Sequence, residues 1–67
     1  MYGIVVRTPG RRRGERVLLR DEDGTTRLYL TRGRLYASRW ETREQAEHAA
    51  AVIRDVIPDC VVRVAYA

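Results

Sequence analysis

Three features of the sequence predict an α+β fold. Short β-branched runs are separated by turn dipeptides, one later segment carries apolar residues at helical spacing, and a further β-branched run comes after it. The expected order is β-β-β-(β)-α-β: an antiparallel sheet of three to four strands with one helix packed on one face and a C-terminal strand. With 67 residues the chain is one domain, residues 1–67, with no room for a second core.

The first strand is "YGIVVR", Tyr2 to Arg7, bounded by Pro9-Gly10, a pair suited to the centre of a type II turn. "ERVLLR", Glu15 to Arg20, is its return strand. "DEDG", Asp21 to Gly24, reads as a turn, with Gly24 free to take positive φ. In "TTRLYLT", Thr25 to Thr31, Leu28 and Leu30 alternate with Arg27, Tyr29 and Thr31, the pattern of a half-buried strand. Arg32 to Arg34 allow a reversal at Gly33, and "LYAS", Leu35 to Ser38, is read as a short pairing strand.

Thr42 and Gln45 have the spacing of a capping box, in which the threonine oxygen accepts from the Gln45 amide and the glutamine reaches back. Ser38 and Glu41 offer the same pattern one turn earlier. Ala46, Ala49, Ala50, Ile53, Val56 and Ile57 then form one apolar stripe, with Arg43, Glu44, Glu47, Arg54 and Asp55 on the other side. Pro58 disfavours helical geometry in the residue before it and ends the helix. "CVVRVAY", Cys60 to Tyr66, is the last strand.

Composition narrows the function classes. Hydrophobic residues make up 45% and charged residues 33%, a globular balance. One cysteine rules out an internal disulfide, and Cys60 reads as a small buried hydrophobe. One Cys and one His, His48, cannot supply the four ligands of a structural zinc site, so no metal or cofactor is expected. "MYGIVVRTPG" lacks the pattern of a signal peptide, and no run approaches the roughly 20 apolar residues of a membrane span. A cytoplasmic protein without membrane contact is expected.

All 13 basic side chains are arginine. Two sources account for that: bidentate phosphate recognition, and a GC-rich genome that favours arginine codons. The distribution is uneven. Residues 7–20 hold six Arg against one Glu, whereas residues 41–55 hold four acids against two Arg, so the sheet is basic and the helix mildly acidic.

If Ile4, Val6, Val17, Leu19, Leu28, Leu30, Val62 and Val64 face the helix, alternation sends Val5, Arg7, Arg16, Leu18, Arg20, Arg27, Tyr29 and Arg63 to the other face. Arginines beside a tyrosine on an open sheet suit a single-stranded nucleic acid, with guanidinium on phosphate and a ring under a base. A plain solvated face and a protein interface fit the same residues. The loop "TPGRRRG" adds Arg11, Arg12 and Arg13 at the sheet's end; it leads into a strand and lacks the Lys-Ser/Thr ending of a phosphate-binding P-loop. Trp40 either seals the core at the helix start or stacks on a partner, and Tyr36 beside it extends either role. No arrangement of acids, His and Cys supports catalysis, so no enzyme is expected.

The stretch "YLTRGRLYASRWETREQAEHAAAVI", Tyr29 to Ile53, resembles small orphan proteins of phages and mobile elements, in which a Tyr-bearing hairpin runs into a Trp, a Thr cap and an Ala-rich helix. Its matching residues, Tyr29, Trp40, Thr42, Ala46 and Ala49, are structural and carry no functional site. The resemblance implies a second function class, an inhibitor or adaptor that binds a host protein complex. The leading expectation is a non-enzymatic binding module for nucleic acid or a nucleoprotein, working as a monomer or homodimer. Its candidate anion-binding residues are Arg11, Arg12, Arg13, Arg27, Arg34 and Tyr29, and its candidate protein-interface residues are Tyr36 and Trp40.

Overall fold

A computed structural model describes all 67 residues. The elements are β1 (Tyr2–Arg7), β2 (Glu15–Glu22), β3 (Thr25–Thr31), α1 (Arg43–Val56) and β4 (Val61–Tyr66). They form one antiparallel sheet in the order β3-β2-β1-β4 with the helix on one face, the α+β arrangement expected.

The turns arise from local chemistry. Thr8 O accepts from the Arg11 amide at 3.2 Å, and Gly10 has φ +81°, as a type II turn with proline first requires. Between β2 and β3, Asp23 (φ 51°) and Gly24 (φ 77°) both lie in the left-handed region and make a two-residue hairpin turn. β2 therefore runs two residues past Arg20, and the reversal is tighter than the four-residue span Asp21–Gly24.

Val5 lies opposite both Arg16 on β2 and Arg63 on β4, and the β2–β3 register pairs Val17 with Leu30 and Leu19 with Leu28. This fixes the two faces. Ile4, Val6, Val17 and Val62 are buried with Ala50 and Ile53 of the helix, and Leu19, Leu28, Leu30, Cys60 and Val64 pack against that cluster. Every buried residue is apolar or glycine. The helix lies across β1 and β4, and its alanines Ala46 and Ala50, both fully buried, let it approach closely.

Thr42 is the N-cap: Thr42 Oγ1 accepts from Gln45 N at 3.1 Å and Gln45 Oε1 accepts from Thr42 N at 3.3 Å. The alternative cap at Ser38 is unused because its hydroxyl accepts from Leu19 N at 2.8 Å instead. One expectation needs correction. Val56 is 65% exposed rather than part of the buried stripe: it lies one turn after the exposed Val52 on the flank of the helix, while Ile53 and Ile57 take the core side. Arg54 is exposed, as expected, and from there donates from Nε and Nη2 to Val62 O (3.3 and 2.9 Å), so covering part of the free edge of β4.

Leu35–Ser38 is not a strand. It forms a turn in which Arg34 O accepts from Ala37 N, and residues 38–40 then enter the sheet as a wedge. β1 and β2 pair only near Val5 and Val6 and then splay apart. Ser38 N donates to Val17 O at 3.0 Å on one side of the gap, and Trp40 and Tyr2 exchange both backbone hydrogen bonds at 2.8 Å on the other. The wedge thus stitches the sheet together, satisfying backbone groups that the splay would leave unpaired.

Candidate anion-binding face

The face of the sheet away from the helix carries no covering element. The strand register places Arg63, Val5, Arg16 and Thr31 across it in one row, Leu18 with Tyr29 in another, and Arg20 with Arg27 in a third. This is the alternation the sequence predicts, including Val5, Arg7, Arg16, Leu18, Arg20, Arg27, Tyr29 and Arg63 on one side.

The predicted site residues fall into separate groups. Arg11, Arg12 and Arg13 line a cleft of about 430 Å³ with Gly14, Glu15 and Arg32. Arg32 is absent from the predicted set: it lies just after β3, and only the pairing of β2 with β3 returns it to the β1–β2 loop. Arg12 also lines a second hollow of about 200 Å³ with Val5, Arg7, Gly14, Val61 and Arg63, linking the loop to the open face.

Arg27 and Tyr29 lie toward the other end, near the acidic turn. Arg27 Nε is 3.8 Å from Glu22 Oε2, and Tyr29 Oη donates to Glu22 Oε1 at 2.7 Å. That hydrogen bond, then burial and the Glu22 charge, raise the Tyr29 pKa, while Arg20 acts the other way. These two side chains are thus partly occupied by a carboxylate. Arg34 sits in the loop after β3, and its charge bears on Arg16. Tyr36 is 71% exposed beside Leu35 at 78%. Trp40 is half-buried and packed against the core, so it seals the helix start rather than standing free.

Of the 13 arginines only Arg27 has a carboxylate within 4 Å. The Arg16 pKa is lowered, first by burial and then by the positive charges of Arg34, Arg63 and Arg39. The face therefore grades from Glu22 beside the β2–β3 turn to a mutually repelling arginine cluster toward the opposite end, the field that draws an anion to one end of a surface. No helix is long and apolar enough to cross a membrane.

These features define a small α+β domain whose uncovered sheet face carries, toward one end, a cluster of arginines without carboxylate partners. Comparison with known protein families, with curated proteins and with solved structures finds no match to the chain.

Proposed function

We propose that the protein is a non-enzymatic binding module that engages nucleic acid or a nucleoprotein through this open face and the adjoining Arg11–Arg13 loop. One observation carries the reading: a group of arginines with no carboxylate partners gathers on one uncovered side of the domain. Surface charges of one sign without partners cost stability by self-repulsion. A polyanion turns that cost into affinity by releasing its own counterions.

The test is binding to generic single- and double-stranded oligonucleotides across a salt series. Four to six phosphate contacts give a log–log slope of roughly −3 to −5. Replacing Arg11, Arg12 and Arg13 together with Ala weakens binding and leaves the fold intact, since all three side chains are exposed. Absence of binding even at low salt overturns the reading. In that event the second reading takes its place, a protein-binding inhibitor or adaptor. Its support is the pair Leu35 and Tyr36, two large apolar side chains held out in a turn flanked by arginines.

A further inference from the structure

We propose that Arg16, Arg39 and Arg63, placed around Gly3 and Val5 on the open face, form an oxyanion site that seats one phosphate group. The site rests on the anion-binding reading above and says where on the face the phosphate sits: on the open sheet, not in the arginine loop.

Three independent pieces of backbone geometry bring the residues together. Arg16 and Arg63 both lie opposite Val5, one on each neighbouring strand, so they flank it on the open face. Their backbones are two strand spacings apart, roughly 10 Å. Arginine side chains span that gap to a group held between them. The bridge between Tyr2 and Trp40 supplies the third member. It puts Trp40 on the helix face with Tyr2, and so sets Arg39 beside Gly3 on the opposite face.

Gly3 forms the floor. It is buried, and the space a Cβ would occupy lies 2.6 Å from Nη1 of Arg16, so the guanidinium lies down over bare backbone instead of reaching into solvent. Buried Val5 completes an apolar base. No carboxylate lies within 4 Å of any of the three guanidinium groups. Planar forks with free N–H donors above an apolar floor are suited to bidentate contact with phosphate oxygens.

The test monitors the arginine Nε–Hε NMR signals during titration with inorganic pyrophosphate and, separately, with a short oligothymidylate. Expected is a joint shift of the Arg16, Arg39 and Arg63 signals with both probes, while Arg43 and Arg54 on the helix stay still. Arg39→Gln and Arg63→Gln, both at exposed positions, each weaken pyrophosphate about tenfold, and Arg11→Gln leaves it unchanged. Wild-type affinity for pyrophosphate in both Gln variants overturns the site, even if oligonucleotide binding persists through other arginines. Small parallel shifts of every arginine, the sign of a diffuse ion atmosphere, overturn it as well. A pyrophosphate response lost in the two variants, together with no oligothymidylate binding at low salt, keeps the site and removes the nucleic-acid reading.

Discussion

Gly14 and Gly3 show how differently two glycines on one face are constrained. A Cβ at Gly14 runs into Cγ1 of Val5, a buried side chain fixed between two strands. Gly14→Ala therefore overpacks that site and is expected to cost about 1–3 kcal/mol in chemical denaturation. A Cβ at Gly3 meets only the tip of the Arg16 side chain, which swings away. The lost chain entropy of the unfolded state favours that alanine by about 0.4–1 kcal/mol, so Gly3→Ala is expected to be near neutral in stability. Equal losses at the two positions would show that the Arg16 tip is held as firmly as Val5. Tyr29 carries a separate prediction. Its pKa is raised, chiefly by the hydrogen bond to Glu22, so that contact stabilises the fold below the ordinary tyrosine pKa and is lost as pH rises through the higher folded value. One phenol is expected to titrate above the usual tyrosine range in near-ultraviolet absorbance, and Glu22→Ala should bring it back down. If Glu22→Ala leaves the titration unchanged, the contact does not hold Tyr29.

At the scale of elements, the segment Ser38–Trp40 contributes more than its length suggests, because it is bonded to strands on both sides. Ser38→Ala removes the acceptor for the part-buried Leu19 amide and is expected to cost roughly 1–3 kcal/mol, with faster hydrogen exchange at Leu19. Thr42→Ala removes only the helix cap and is expected to cost about 1 kcal/mol, with faster exchange confined to the first helical turn. Leu19 exchange unaffected by Ser38→Ala would show that the wedge does not hold the sheet. The same contrast explains what was legible in the sequence. The cap at Thr42, the Pro9-Gly10 turn and the alternation of Leu28 and Leu30 are local, each decided by residues within a few positions. "LYAS" alternates like a strand, yet the bonds of its neighbourhood go to Val17, Leu19 and Tyr2, far away in sequence. Nothing near residue 38 announces that β1 and β2 splay. The site divides in the same way. Alternation alone sends Arg16 and Arg63 to the open face, and the sequence shows the Arg11–Arg13 run directly. Arg32 and Arg39 join them only through tertiary pairing. Tertiary pairing also brings Arg27 and Tyr29 close to Glu22, so alternation alone cannot set them apart from the unpaired arginines.

For the whole molecule the governing quantity is charge. The net charge is +4, yet the arginines of the open face and loop are concentrated on one side, with the helix acids elsewhere. Two like charges about 10 Å apart in water repel by about 0.4 kcal/mol. Several such pairs together oppose folding by on the order of 1 kcal/mol, and about 0.1 M salt, with a Debye length near 10 Å, screens most of it. The melting temperature is therefore expected to rise with sodium chloride from low ionic strength to about 0.15 M, by about 4–8 °C for each kcal/mol relieved. A domain held by surface ion pairs would respond in the opposite sense, but here the single ion pair, Arg27 with Glu22, is exposed and contributes little. A melting temperature that falls over this range would mean the arginine cluster is not a net repulsive load. Phosphate at matched ionic strength separates screening from binding. Site occupancy adds RT ln(1 + [L]/Kd) to stability, whereas exclusion of phosphate from the surface stabilises any protein. The excess of phosphate over chloride should therefore shrink in Arg39→Gln and Arg63→Gln if the anion is seated over Gly3, and persist undiminished if it acts only through the solvent.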